Sequence, residues 1–300
     1  MERGIIKGRH DAPLAYVKVP AQGVKKGLIH ICHGMAEHKE RYLPLMEYLS
    51  TLGYTVYAHD HRRHGASLNP SEEVGIFQEH DTFETMVDDI GIVQKFMLKK
   101  EKEGNLILIG HSMGSMLSRR YLMRQPSHVT RALILGTVPV GSPITSGIIA
   151  TFITLLTVFK KSTKRHFLIQ GIMNKALKKE PKSHRFGWLS YNEENVTRYT
   201  DDPLSGYAYN SRFYRRFFWF LHRFNRPHPP YPMIPTFFIS GSDDPVSVSE
   251  AALQKTLKVA LKAQPEWPVR LVMIEGAEHE WFREKNPRFE IFKDVLNDAL

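Results

Sequence analysis

Five residues constrain this chain more than any others: Gly110-His111-Ser112-Met113-Gly114. They read G-x-S-x-G and follow an apolar run, Leu106-Ile107-Leu108-Ile109, that has the character of a buried strand. Residues 115–124 then read as a helix. A strand that turns sharply through a serine into a helix needs small residues on either side of the turn, and Gly110 and Gly114 supply them. The serine oxygen of such a turn stands clear of the backbone. The helix behind it aims its first N–H groups at the place where negative charge would develop.

Size and composition set the outer bounds. The chain has 300 residues and is 42% hydrophobic, enough for a substantial core. A membrane span needs about 20 apolar residues, and the longest candidate run, residues 148–159, is much shorter. No secretory apolar segment precedes Arg9-His10-Asp11. The single cysteine, Cys32, excludes an intramolecular disulfide and reads as a small core residue. A cytoplasmic protein is expected, with membrane contact only at its periphery. The net charge of +10 is concentrated: residues 141–235 hold 15 basic and 5 acidic side chains, and the rest of the chain is balanced. That segment interleaves Phe213, Tyr214, Phe217, Phe218, Trp219 and Phe220 with Arg212, Arg215 and Arg216. It reads either as a solvated basic face over an aromatic core or as a surface that meets anionic lipid. No nucleic-acid-binding module accompanies the charge, so no nucleic acid is expected as a partner.

Residues 1–140 alternate strand and helix signals. Strands are expected at 16–19, 28–32, 54–58, 106–109 and 132–135, with helices at 42–52, 83–98 and 115–124. This alternation predicts an α/β fold with a mostly parallel sheet flanked by helices. Between 141 and 230 the pattern is helical and strongly basic, ending in the proline-rich stretch 227–232. Strand signals return at 236–240 and 269–274. The expected organisation is a core in two parts, 1–140 and 231–300, with a helical insert at 141–230 between two strands.

A serine hydroxyl needs a base within hydrogen-bond reach, and the base needs an acid to hold its tautomer. Asp244 and His279 each stand just past a strand end, in the order acid then histidine that this strand–turn–helix arrangement requires. The neighbouring acid, Asp243, is the alternative to Asp244; Pro245 restricts Asp244 to an extended conformation and favours it. An oxyanion needs preorganised donors. One is expected from the N–H of Met113, and the other from the N–H of Met35, after the turn at Gly34. His33 and His38 lack a third ligand at suitable spacing, so no metal is expected.

These residues resemble the α/β-hydrolase family, and within it the branch of monoacylglycerol lipases and bacterial lysophospholipases. The resemblance rests on His33-Gly34-x-x-Glu37-His38, Asp60-His61-Arg62-x-His64-Gly65-x-Ser67, Gly110-His111-Ser112-Met113-Gly114, Gly241-x-x-Asp244-Pro245-Val246 and Gly276-x-x-His279-Glu280. Trp188-Leu189-Ser190 and Tyr199-x-x-Asp202-Pro203-Leu204 resemble the cap of bacterial members. It implies the α/β-hydrolase fold, a helical cap over an acyl pocket, no metal or other cofactor, and hydrolysis of esters carrying one fatty acyl chain. The catalytic residues implied are Ser112, Asp244 and His279. Two positions depart from the pattern: Arg63 stands where the family has glycine, and Met35 where it has a small residue.

The expected substrate is a monoacylglycerol or lysophospholipid. The rivals are an aminopeptidase or generic esterase of the same fold, and a non-catalytic binding protein that keeps the three residues. An aminopeptidase would need an acidic pocket, for which the insert offers Glu193, Glu194, Asp201 and Asp202. The apolar residues Ile148, Ile149, Phe152, Ile153, Leu155, Leu156, Val158 and Phe159, followed by Lys160, Lys161, Lys164 and Arg165, read as a helix packed on the core or as a lid at an anionic membrane surface.

Overall fold

A computed structural model describes residues 1–158, 164–177, 185–226, 230–285 and 287–300. Its centre is one eight-stranded sheet, β1 (Glu2–Lys7), β2 (Pro13–Val19), β3 (Gly27–Cys32), β4 (Tyr54–His59), β5 (Leu106–His111), β6 (Val129–Leu135), β7 (Thr236–Gly241) and β8 (Val269–Ile274). The strand order is β1-β2-β4-β3-β5-β6-β7-β8. β1 and β2 pair antiparallel with each other, β2 pairs antiparallel with β4, and every later pairing is parallel. The antiparallel β1 carries no strong alternation in sequence, since its half-exposed edge needs few apolar residues.

The parallel strands are apolar throughout because both faces are covered. Leu106, Leu108, Ala132, Ile134 and Phe238 point to one face, where they join α2 (Phe83–Glu101) and α3 (Met113–Leu122). Ile107, Ile109, Leu133, Leu135 and Ile239 point to the other, against α1 (Leu43–Thr51) and α9 (Arg288–Ala299). α2 begins with a reciprocal capping box between Thr82 and Thr85. It runs past the apolar stripe to Glu101, because Lys102 adopts the left-handed conformation that closes it. α8 (Glu250–Ala263) links β7 to β8.

Between β6 and β7 the described residues form α4 (Pro143–Val158), α5 (Phe167–Leu177), α6 (Glu193–Asp201) and α7 (Ser211–Phe224), with no strand among them. The basic and aromatic run of α7 separates by face. Phe213, Tyr214, Phe217 and Phe220 are buried, while Trp219 lies outside. Arg212 and Arg216 donate to the carbonyl oxygens of Phe77, Gln78, Glu79 and Asp81, so they clamp a loop of the core. α4 packs along α7 through Ala150 and Ile153 but leaves Ile148, Phe152 and Leu155 about two-thirds exposed. Phe159, Lys160 and Lys161 lie outside the described residues, as do residues 227–229 of the proline-rich stretch. Among the described residues no helix is long and apolar enough to cross a membrane.

Two features of the 59–67 loop explain sequence oddities. Arg63 adopts a φ of 64°, the left-handed conformation that usually takes glycine. Its guanidinium is tied to Asp81 at 2.7 Å and to Glu72, which offsets the backbone cost. Beside it, Arg62 binds Asp89 through two nitrogens at 2.8 and 2.9 Å and Asp81 at 3.0 Å, all three side chains being buried. Removing Arg62 would leave the buried Asp89 carboxylate without its cationic partner, while Asp81 would keep Arg63. Arg62→Met should therefore lower unfolding free energy by about 3–5 kcal/mol in a denaturant titration.

The same loop and its neighbours bury His30, His33, His59, His61 and His64 completely. Burial holds all five imidazoles below the ordinary histidine range, His59 at about 3 and His64 at about 4. The unfolded chain binds these protons more readily, so neutral histidines stabilise the fold above about pH 6.5. That contribution is lost as the pH falls from there toward the folded values. The melting temperature should drop steeply between about pH 6.5 and pH 4, and histidine-to-asparagine replacement at His59 should make the decline shallower.

Candidate active site

Ser112 sits at the turn between β5 and α3 with φ 53° and ψ −120°, a strained combination for a residue with a side chain. The turn is possible because its neighbours have no Cβ. A Cβ on Gly110 would lie 2.4 Å from Ser118 Oγ, and one on Gly114 would lie 2.2 Å from the carbonyl oxygen of Cys32. The helix therefore begins directly on Met113, two residues earlier than the apolar pattern indicates.

His279 and Asp244 meet across the ends of β8 and β7. Asp244 Oδ2 lies 2.9 Å from His279 Nδ1, with both side chains buried. Asp244 is held in turn by the N–H of Val246 at 2.8 Å and the hydroxyl of Ser247 at 2.9 Å. Asp243 faces elsewhere and accepts a hydrogen bond from the Tyr191 hydroxyl at 2.8 Å. Burial alone would push the His279 imidazole down, but Asp244 overrides it and holds the ring above the ordinary histidine range. His279 in turn helps keep the Asp244 carboxyl below its usual range, against the effect of burial. His279 Nε2 is buried and has no hydrogen-bond partner among the described residues. Gly136 lies under the pair, where a Cβ would come within 3.0 Å of the imidazole and 3.3 Å of Asp244 Oδ2.

The loop after β3 lies against the serine. A Cβ on Gly34 would be 3.1 Å from Ser112 Cβ and 2.5 Å from Glu37 Oε1. The N–H of Gly34 is spent on Glu37 Oε1 at 2.5 Å. The N–H groups of Met35 and Met113 donate to no described residue, which leaves both available to a bound group. Glu37 also accepts from the Tyr42 hydroxyl at 2.8 Å and Arg41 Nε at 3.1 Å. Burial opposes its ionisation, yet His111, Arg41 and Tyr42 together hold its carboxyl below the usual range. His111, the residue before the serine, donates from Nε2 to the carbonyl oxygen of His279 at 3.2 Å. Arg41 reaches Glu280 with one nitrogen at 2.6 and 2.8 Å, tying the 33–42 loop to the His279 loop.

Trp188 packs over His279 with ring centroids 5.3 Å apart, and the Glu280 N–H donates to the carbonyl oxygen of Leu189 at 2.7 Å. Arg41, Tyr42 and Gly136 carried no signal in sequence for a place beside the site, because each is an ordinary residue until the strands bring it there; Trp188 was marked only through the resemblance of residues 188–190 to a cap.

The histidines considered as metal ligands part company. His33 Nε2 accepts from the N–H of His61 at 2.9 Å, so its Nδ1–H donates to the carbonyl oxygen of Gly34 at 2.8 Å. His38 instead binds Asp202 at 2.6 Å. A different trio, His30, Cys32 and His59, brings its donor atoms within 4.8 Å of one another. His30 and His59 are hydrogen-bonded to each other at 2.9 Å, and burial pushes the Cys32 thiol up to about 12. A thiol this hard to ionise is a poor metal ligand near neutral pH.

The hydrolase family described as serine aminopeptidase, S33 (Hydrolase_4), matches residues 23–286 of this sequence. The chain belongs to this family of α/β-hydrolases. A monoglyceride lipase of Rattus norvegicus is 27% identical over 277 residues, covering 92% of this chain and 82% of the rat protein. Among solved structures, a carboxyl esterase from Bacillus coagulans superposes with a TM-score of 0.82 at 19% identity, covering 99% of this hydrolase and 98% of the esterase. A monoacylglycerol lipase of Paleococcus ferrophilus superposes with a TM-score of 0.69 at 20% identity, over 95% and 98% of the two chains.

The charge of Asp244 is the main force that raises the His279 pKa in this hydrolase. Asp244→Asn should therefore move the His279 titration to lower pH, measured from its ring proton resonances. An unchanged titration would mean that Asp244 does not face His279 in solution.

Proposed function

We propose that this hydrolase cleaves carboxylic esters of monoacyl lipids through an acyl-enzyme on Ser112. The observation that carries the reading is the buried Asp244–His279 pair, with His279 Nε2 unpartnered, beside a serine held on a strained glycine-flanked turn. Ser112 attacks the acyl carbonyl and His279 Nε2 takes its proton. The tetrahedral oxyanion is met by the N–H groups of Met35 and Met113. His279 then gives the proton to the leaving alcohol. Water repeats the sequence and frees the fatty acid. Asp244 keeps the imidazole in the right tautomer and stabilises its charged form.

The substrate class rests on the rat relative, which bears the name monoglyceride lipase and aligns over most of both chains. A monoacylglycerol is the first choice and a lysophospholipid the second. The family description raises an aminopeptidase as the rival. That activity needs a free carboxylate to receive the substrate amine. Glu194 is paired with Arg198 at 2.5 Å and Lys285 at 3.6 Å, and Asp202 with His38 and Ser205. These pairings withdraw Glu194 and Asp202 from that role, while Glu193 and Asp201 stay exposed at the two ends of α6.

In this reading α4 to α7 form the cap, and its outer face meets the membrane. Ile148, Phe152 and Leu155 of α4, with Phe167 and Leu168 of α5, give an exposed apolar surface, and Lys164 and Lys175 lie on the same segment. The protein would then be cytoplasmic and peripheral at an anionic bilayer.

A matched panel of short aryl esters, monoacylglycerols, lysophosphatidylcholine and an aminoacyl amide tests the chemistry. Long-chain monoacylglycerols should be turned over best, and Ser112→Ala should lower kcat at least about 10⁴-fold. Turnover of the amide alone would install the aminopeptidase instead. Binding to vesicles containing phosphatidylglycerol should weaken as salt is raised, while salt-independent binding would count against the basic cap as the docking surface.

A further inference from the structure

The loop that carries Met35 is gripped by the excursion between β6 and β7 as firmly as by the core. Ala36, the next residue, has a φ of 52°, a conformation that needs support in a residue with a side chain. Its N–H donates to the Tyr209 hydroxyl oxygen at 2.6 Å. Its carbonyl oxygen accepts from the N–H of Gly206 at 2.8 Å and the Tyr199 hydroxyl at 3.0 Å. Both backbone polar groups of Ala36 therefore end on residues of α6 or of the segment that joins it to α7.

The Tyr209 contact has a defined direction. His64 Nδ1–H donates to the carbonyl oxygen of Arg62 at 2.9 Å, so the neutral ring presents Nε2 as an acceptor. That nitrogen lies 2.7 Å from the Tyr209 hydroxyl. The proton order is thus Ala36 N–H to Tyr209 oxygen, then Tyr209 O–H to His64. Burial keeps the Tyr209 phenol protonated and His64 neutral, which preserves this order near neutral pH. Tyr209 is wholly buried, and its ring stacks on Phe213 with centroids 3.6 Å apart.

A second line reaches the same loop. Asn195 on α6 donates to Glu280 Oε2 at 2.7 Å. Glu280 pairs with Arg41, Arg41 with Glu37, and Glu37 holds the N–H of Gly34. By contrast, no described residue of α4 or α5 hydrogen-bonds to residues 33–38.

We propose that the α6 side of the excursion positions the oxyanion loop: Tyr209, Tyr199 and Asn195 hold Met35 in register with Ser112. None of them touches the reacting atoms, so they are positioning residues. The excursion is then divided in its work. The α6–α7 segment is a fixed part of the catalytic framework, whereas α5 reaches the loop only at one remove, Gln170 accepting from the Tyr214 hydroxyl that itself accepts from the Tyr209 N–H. This inference rests on the role given above to the Met35 N–H.

Tyr209→Phe tests it, because the ring stack is kept and only the hydroxyl is lost. The variant leaves the Ala36 N–H and His64 Nε2 without their partner, so the loop relaxes and the Met35 donor moves off its mark. With a water-soluble aryl ester, kcat per fluorophosphonate-titrated site should fall about tenfold while KM stays within about twofold. Affinity for a trifluoromethyl ketone, which adds to the serine and forms an oxyanion, should fall by the same factor. A lower melting temperature with unchanged kcat and ketone affinity would make Tyr209 merely structural and overturn the proposal. A change confined to KM would overturn it too. If Tyr209→Phe does not fold, Asn195→Ala is held to the same kcat and ketone criteria. Ser112→Ala run alongside separates the two claims. Turnover that survives it removes the serine mechanism itself, whereas serine-dependent turnover untouched by Tyr209→Phe removes only the positioning role.

Discussion

The close approach of the β5–α3 turn to the end of β3 is the contact on which the rest of the site depends. Gly114 lies so near the carbonyl oxygens of Cys32 and His33 that a Cβ there would sit 2.2 and 2.4 Å from them. Because β3 and β5 are neighbours in a parallel register, Cys32 falls opposite Gly110. The loop leaving β3 must then pass over the serine. One backbone contact, allowed by one missing Cβ, brings together the serine turn and the N–H groups beside it.

The remaining parts arrive by the same rule of parallel sheets, which gather loops at the C-terminal ends of their strands. β7 and β8 lie beyond β6, and their outgoing loops deliver Asp244 and His279. Close packing sets these loops as it sets the turn, since a Cβ on Gly241 would meet the carbonyl oxygen of Ala277 at 2.1 Å. Buried charge then locks them. Glu37, Arg41 and Glu280 form a continuous ionic chain between the 33–42 loop and the His279 loop. Such a chain stabilises little in net terms, because desolvation offsets most of its attraction. Its consequence is geometric: each charge is costly to leave unpaired, so only one arrangement of the two loops is tolerated.

The excursion between β6 and β7 contains two kinds of surface. Its inner parts engage the core, Trp188 by a ring contact with His279 and Asn195, Tyr199 and Tyr209 by hydrogen bonds. Its outer parts on α4 and α5 are apolar and open to solvent. Arg212 and Arg216 show why charge alone misleads. They read as a basic face, yet their guanidinium groups are used by carbonyl oxygens of the 77–81 loop. The excess charge is therefore less available to a partner than the composition implies.

The α/β fold was legible in the sequence because each buried parallel strand is a short apolar run and each helix a stripe at helical spacing. Serine, acid and histidine were legible because their places, one in a glycine-flanked turn and two just past strand ends, follow from local patterns. β1 was not, since an edge strand needs no apolar pattern, and the true start of α3 was hidden because the turn geometry, not hydrophobicity, begins it. The choice between Asp243 and Asp244 turned on which carboxylate faces the imidazole, and backbone restriction could favour one but not place it. Tyr209, Arg41 and Gly136 stayed silent because their meaning lies in partners 173, 239 and 143 positions away. Sequence by itself determined the elements and the order of the candidate serine, acid and histidine, which short-range sterics and hydrophobic period dictate. Only the tertiary structure decided how the loop beside the serine is held, because the acceptor of the Ala36 N–H, the Tyr209 hydroxyl, comes from a segment far along the chain.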